Sequence, residues 1–220
     1  MKKMYLDNID IDTLDSRKRV HLINSLGGFK SVSLIGTQSK SGNTNLSIFS
    51  SIFHIGANPA LIALIFRPTP PERDTFRNIL ESGFYTLNHI NESIYKKAHQ
   101  SSARYDAKIS EFDVVGLTPE FKNDFQAPFV KESMIQMGIE FKEKVDITIN
   151  NTTMVIGEIV QIYIPEDCLS DDGFVDIEKA NTITCSGLDS YHKTILLDRL
   201  AYAKPDKKTT SIFKNQSEKK

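Results

Sequence analysis

Neither sign of charge is in excess in this 220-residue chain: 27 lysines and arginines face 28 aspartates and glutamates, for a formal net charge of −1. With the two signs interspersed, that balance argues against nucleic acid or an anionic membrane as the main partner. Cysteine is scarce. The two present, Cys168 and Cys185, are spaced for neither a Cys-x-x-Cys redox pair nor a zinc-ligand pair, and read as free thiols in a reducing compartment. The histidines (His21, His54, His89, His99, His192) form no His-x-His or His-x-x-x-His cluster, so no metal site is expected. No apolar run reaches membrane-spanning length without charged or polar residues, and the opening MKKMYLDNIDIDTLD has no apolar stretch of signal-peptide length. A cytoplasmic location with no membrane partner is the expectation. Also missing are a Gly-x-Ser-x-Gly elbow, a Gly-x-x-x-x-Gly-Lys-(Ser/Thr) phosphate loop and a Gly-x-Gly-x-x-Gly dinucleotide fingerprint. Asp171, Asp172 and Asp189 could form a carboxylate pair, but adjacent loop aspartates are more often solvated than catalytic, and nothing near them in sequence raises a pKa.

What the chain does hold is concentrated in residues 33–88. A strand-like apolar run over 31–37 breaks at Ser39, Lys40, Ser41, Gly42 and Asn43, residue types that favour a tight turn. The returning run over 44–53 mixes large apolar residues with hydroxyl and amide groups, a surface suited to a flat ring with polar edges. A third run, 60–66, ends at Arg67-Pro68, where proline closes the strand because it cannot donate to a ladder. Thr69-Pro70-Pro71-Glu72 then has capping-box spacing, and the helical pattern after it can end at Gly83. A helix start flanked by Arg67, Arg73 and Thr75 fits a phosphate cradle, and fits equally an ordinary capped surface helix with solvated arginines.

With 40% hydrophobic residues the chain can bury one sizeable core, which points to a single domain over 1–220, its core over about 29–203 and a flexible tail over 204–220. Periodicity gives an amphipathic helix over 10–26 ended by Gly27-Gly28 and packed across the core, a strand over 84–90, and a helix over 91–100 capped by Asn91. Residues 101–106 either reach toward a ligand or form a plain loop, and 109–117 holds a helical turn. Strands follow over 129–136, 141–149 and 154–164, the last two joined by an asparagine-rich hairpin turn, and a final strand over 196–203.

The ordered series Gly42, Asn45-Leu46-Ser47, Asn58-Pro59, Arg67-Pro68, Arg73-Asp74-Thr75-Phe76-Arg77-Asn78-Ile79 and Gly83-Phe84-Tyr85-Thr86-Leu87-Asn88 resembles the flavin reductase-like family of FMN-binding split β-barrels. Ser110-Glu111-Phe112, Ala127-Pro128-Phe129-Val130-Lys131-Glu132-Ser133, Ile156-Gly157-Glu158-Ile159 and Gly187-Leu188-Asp189-Ser190-Tyr191 extend the resemblance across most of the chain. The chain departs from the family at Pro59-Ala60, where two prolines are common.

The resemblance implies a mainly β fold with flanking helices, a Greek-key split barrel of about six strands, and a homodimer binding FMN in a groove near the subunit interface. The implied activity is NADH- or NADPH-dependent reduction of flavin, or of a small acceptor through bound FMN; the alternative is an FMN-binding electron carrier or sensor without efficient nicotinamide turnover. Thr44, Asn45, Leu46 and Ser47 would line the ring, Ser50 and Ser51 would contact ribityl or phosphate, and Arg67, Arg73 and Thr75 would bind phosphate, with His99 and Ser102 as further contacts. No catalytic side chain is assigned, because the flavin ring carries the chemistry. Tyr191 and His192 either donate a proton near flavin N5 or fill the dimer seam.

Overall fold

Residue 34 and residue 35 point to opposite sides of one strand, and both are fully buried. A strand with two buried faces must sit between layers, and the rest of the architecture follows from that. The computed structural model describes residues 1, 3–68, 73–106 and 108–213. Its strands are β1 (Lys30–Ser31), β2 (Ser33–Gln38), β3 (Thr44–Phe49), β4 (Ile52–Ala57), β5 (Ala60–Phe66), β6 (Phe84–His89), β7 (Pro119–Glu120), β8 (Phe129–Val130), β9 (Gln136–Ile147), β10 (Thr152–Tyr163), β11 (Thr184–Ser186) and β12 (Ser190–His192). Its helices are α1 (Asn8–Thr13), α2 (Ser16–Leu26), α3 (Asp74–Ser82), α4 (Tyr95–Gln100) and α5 (Glu111–Val115), with a 3-10 turn at Glu166–Cys168. None of the described helices is long and apolar enough to cross a membrane.

Seven strands form one sheet in the order β3-β2-β6-β9-β10-β5-β4, each pair antiparallel. The two edge strands, β3 and β4, are consecutive in sequence and joined only by Ser50 and Ser51. The chain therefore steps from one edge of the sheet to the other, and the sheet rolls into a barrel. At the step, Ile65 N donates to Ser51 O (3.0 Å) and Ser31 Oγ to Ile52 O (2.9 Å). β5 reaches β6 by way of α3, a Greek-key crossover, and the long β9–β10 hairpin fills the space between β6 and β5. A small sheet, β1-β11-β12, stands beside the barrel.

The two largest of four buried clusters hold β2 from both sides. Inside the barrel Ile35, Leu64, Tyr85, Ile139 and Val155 pack with Ile79 of α3. On the other face of β2 and β3, Leu34 and Leu46 pack against Ala98 of α4 and Phe112 of α5. Each such fully buried aliphatic side chain contributes about 1.5–3 kcal/mol relative to exposure, so both faces of β2 are held.

The third apolar run becomes β5 with the bounds read from sequence, Gly83 closes α3 in the left-handed region at φ 78°, and Asn151 takes φ 56° in the β9–β10 turn. Other elements differ. The run over 44–53 is two strands, β3 and β4, which form opposite edges of the sheet. The single helix expected over 10–26 is two: Asp15 accepts from Arg17 N (3.0 Å) and Lys18 N (3.2 Å) and starts a new helix. Neither α1 nor α2 contains a buried residue, so they do not pack into the core. Asn91 is not a helix cap. Its Oδ1 accepts from Ser93 N (3.0 Å) and the helix starts later, at Tyr95. The strand expected over 129–136 stops at Val130, where Ser133 N bonds Val130 O (3.0 Å) in a turn, and β9 begins at Gln136. Residues 196–203 form no strand; with Leu197 and Tyr202 exposed, only the isolated bridge of Leu200 with Ser211 remains. The capping box expected at 69–72 and residues 214–220 of the expected tail lie outside the described residues.

Gly36 marks the tightest approach in the barrel wall. A Cβ there would meet the carbonyl oxygen of Pro128 and lie 2.6 Å from Thr86 Oγ1. The Thr86 hydroxyl itself donates to Pro128 O (2.6 Å), so neither neighbour can yield without breaking a buried hydrogen bond. Gly36→Ala should destabilise the fold by about 1–3 kcal/mol, in the range of overpacked cores; denaturant unfolding with an unchanged midpoint would contradict this packing.

Candidate functional site

The split between β3 and the end of β5 opens a cleft of about 590 Å³. β3 supplies Asn45, Ser47 and Phe49; the inter-edge step supplies Ser50 and Ser51; the end of β5 supplies Ile65, Phe66 and Arg67. Arg73, Asp74 and Thr75 come from the start of α3, His99 from α4, residues 101–105 from the loop after it, and Cys185, Leu188 and Tyr191 from around β11 and β12. Nine of the eleven residues expected at the site thus meet in one cavity: Asn45, Ser47, Ser50, Ser51, Arg67, Arg73, Thr75, His99 and Ser102. Thr44 and Leu46 do not line it. Strand alternation turns Leu46 into the core opposite, fully buried, while Thr44 Oγ1 pairs with Ser110 Oγ at 2.7 Å.

The cleft floor is a closed hydrogen-bond network. Glu111 Oε2 accepts from Asn45 Nδ2 (2.8 Å) and from Leu46 N (3.0 Å), so that main-chain donor is already engaged. Asn45 Oδ1 in turn accepts from Thr37 Oγ1 (3.1 Å), which accepts from Asn78 Nδ2 (3.1 Å). Thr75 Oγ1 lies 2.8 Å from both Asn45 Oδ1 and Ser47 Oγ; donating to the first leaves it free to accept from the second. Burial pushes the Glu111 carboxyl above its ordinary value; the hydrogen bonds from Leu46, its own backbone and Asn45 oppose the rise, and the Asp74 carboxylate adds to it.

The rim is cationic. Arg67, Arg73 and Arg104 line the cleft, and no hydrogen bond or ion pair among the described residues engages their side chains. Asp74 is bonded to Arg77 along the helix. The first α3 hydrogen bond runs from Arg77 N to Arg73 O (3.1 Å), so the N–H groups of Asp74, Thr75 and Phe76 precede it and have no acceptor among the described residues. Ser102 Oγ donates to His99 O (2.7 Å), leaving its lone pairs toward the cleft as acceptors only. The two residues left with open roles separate. Tyr191 is in the cleft wall, its hydroxyl 2.8 Å from His99 Nδ1, whereas His192 Nε2 pairs with Ser186 Oγ (2.8 Å) and its ring meets Phe29 edge-on.

Several cleft residues were not assigned from sequence. Glu111 sits in the Ser-Glu-Phe motif that contributed to the resemblance, and its placement before a helical turn was the available signal. Arg104 and Tyr105 belong to the 101–106 stretch for which two readings were open, and they line the cleft as part of a loop. Leu188 sits in the Gly187–Tyr191 motif that contributed to the resemblance, whereas Cys185 carried no local signal; burial pushes the Cys185 thiol up, while Lys30 and a hydrogen bond with Ser50 oppose that.

A rolled antiparallel sheet, split at one seam and carrying a polar floor beneath guanidinium groups that have no partner among the described residues, defines a class of small-ligand binding barrels. Residues 29–179 match the family described as flavin reductase like domain, and the chain belongs to that family. A candidate flavin reductase with a split barrel domain from Shewanella frigidimarina NCIMB 400 is 51% identical, with a TM-score of 0.88 over 91% of this chain and 100% of that one. Nitrilotriacetate monooxygenase component B from Bacillus cereus shares the fold at 21% identity and a TM-score of 0.79, over 91% of this chain and 100% of that one. Flavoredoxin of Desulfovibrio vulgaris (Miyazaki F) shares it at 22% identity and 0.67, over 81% and 92%.

Replacing Glu111 tests the floor. Glu111→Ala leaves Asn45 Nδ2 and Leu46 N–H without their partner and should cost about 1–3 kcal/mol; Glu111→Gln, which keeps an acceptor, should cost less. Because the folded carboxyl titrates above its ordinary value, the folded state holds a proton that the unfolded chain releases. Wild type should therefore lose stability relative to Glu111→Gln as pH rises through the range above the ordinary glutamate value. Parallel stability curves for the two proteins would show that the carboxyl is not so perturbed.

Proposed function

We propose that the cleft binds FMN and that the protein is an oxidoreductase using NADH or NADPH to reduce flavin, or a small acceptor through bound flavin. The observation that carries this reading is the pairing of cationic groups without partners among the described residues, Arg67 and Arg73, with the open N–H groups at the start of α3. Guanidinium forks and a helix start both favour a phosphate dianion. The cleft volume of about 590 Å³ falls within the ~300–1,000 Å³ usual for small-ligand sites. Beside the cations, Ser47, Ser50 and Ser51 offer hydroxyls to a polyol chain, and Phe49 and Phe66 offer flat apolar surface to a ring. Bound FMN would supply the hydride-accepting ring. The chain's own part is to bind the phosphate, orient the ring against β3 and leave one face accessible to a nicotinamide, for which no Rossmann unit is needed.

The exposed apolar side chains Phe53 and Ile55 on β4 and Val160 and Ile162 on β10 support a homodimer, and the reading includes a cytoplasmic location. The Shewanella relative, described as a candidate flavin reductase, supports the activity.

Purified protein should be yellow or turn yellow with FMN, and NADH or NADPH should bleach it anaerobically. Arg67→Ala and Arg73→Ala should each weaken FMN binding about tenfold to a hundredfold, as loss of a charge-assisted hydrogen bond does. Unchanged dissociation constants in both would remove the arginines from the site. Colour that neither nicotinamide bleaches would favour an electron carrier over a reductase.

A further inference from the structure

Residues 180–213 lie beyond the stretch that matches the family, yet β11 and β12 form part of the cleft wall. Tyr191 is the residue there that bonds an expected phosphate contact. β12 pairs with β11 in the register Cys185 to Tyr191, and the tyrosine ring packs against Tyr95 at 5.6 Å and edge-on to His99 at 5.7 Å. Both His99 and Tyr191 line the cleft, and the hydroxyl lies 2.8 Å from His99 Nδ1.

We propose that Tyr191 is a positioning residue that makes the cleft favour phosphorylated over unphosphorylated flavin, by holding His99 Nδ1 so that the Nε2–H is the imidazole's donor to the phosphate. This rests on the flavin reading of the cleft. Burial pushes the tyrosine hydroxyl up to about 12, so it keeps its proton at neutral pH and can donate to Nδ1. A neutral imidazole whose Nδ1 accepts a hydrogen bond carries its proton on Nε2. No hydrogen bond among the described residues engages Nε2 of His99, and the ring is exposed in the cleft. Without the tyrosine hydroxyl the histidine side chain on this short helix regains its rotamers and its other tautomer, and the aimed donor is lost.

The test compares FMN with riboflavin, which lacks only the phosphate, binding to the full chain by flavin fluorescence. Tyr191→Phe keeps the ring and its packing and should weaken FMN binding about threefold to tenfold, the range for one hydrogen bond, while leaving riboflavin affinity unchanged. The double variant Tyr191→Phe/His99→Ala should bind FMN no more weakly than His99→Ala alone, and imidazole nitrogen shifts should show His99 as the Nε2–H tautomer in wild type but a mixture in Tyr191→Phe. Equal weakening for both flavins would make Tyr191 a ring-packing wall and overturn the proposal, as would unchanged FMN affinity or additive effects in the double variant. Wild type that binds both flavins equally sinks this proposal together with the phosphate roles of Arg67 and Arg73, whereas unchanged FMN affinity in Tyr191→Phe sinks this proposal alone. Wild type that binds neither sinks the flavin reading itself.

Discussion

Two residues connect the two edges of a seven-stranded sheet, and the rest of the structure accommodates that constraint. Laid flat, the sheet would hold its edge strands apart by six inter-strand spacings, about 29 Å, whereas a two-residue link spans roughly 7 Å. The sheet must therefore roll until β3 and β4 come within reach of Ser50 and Ser51. Rolling also removes the exposed edges that an open sheet presents for aggregation. Closure is incomplete, because the linking residues cannot belong to both strands; Ser51 O bonds to Ile65 N, but beyond it β3 and β5 diverge. The cleft is that divergence, and its polar lining follows from the backbone and hydroxyl groups that the seam leaves without ladder partners.

A seam in a barrel wall would ordinarily fill with apolar side chains. Here the buried polar residues Thr37, Asn45, Thr75 and Asn78 occupy it, together with Glu111. Burying them is tolerable because they satisfy one another; Asn78 Oδ1 is the member for which no partner exists among the described residues. The acid at the end of the chain of bonds fixes two donors of β3, so the strand that faces the cleft is held from behind by α5. The cations, by contrast, sit on the rim, where solvent still reaches them. A hydrogen-bonded floor under exposed cations suits a ligand with a planar body and an anionic tail.

The fold was legible where periodicity and turn chemistry coincided. β5, bounded by Pro59 and Pro68, and α3, ended by Gly83, are such cases. The break at Ser50-Ser51 was not, since two serines inside a run of mixed apolar and hydroxyl residues give no punctuation, and the change of edge is a property of the whole sheet. Asp15 did give a signal, as a capping residue in the middle of an apparent helix, but the apolar spacing on either side bridged it. Of the site, the residues of β3, β5 and α3 were readable because they are close in sequence. Leu46 shows the limit: its neighbours Asn45 and Ser47 face the cleft, and strand alternation puts the residue between them into the core.

What could not be read locally is the wall from β11 and β12, some 140 residues from β3, and it is tied to the start of the barrel by a few contacts. Lys30 pairs with Cys185 in β1 and β11, Thr184 Oγ1 donates to Lys30 O (2.7 Å), and Lys30 Nζ donates to Gly187 O (2.7 Å). These bonds put the Gly187 turn, with Leu188 and Tyr191 around it, across the cleft from α3. The barrel can close without this wall, because every strand of the seven-stranded sheet precedes residue 164. The cleft loses one side without it: removing the wall would take away Cys185, Leu188 and Tyr191, and with Tyr191 the hydrogen bond to His99. The barrel thus fixes where a ligand can enter, and the three-stranded sheet anchored on Lys30 fixes how much of that ligand is enclosed.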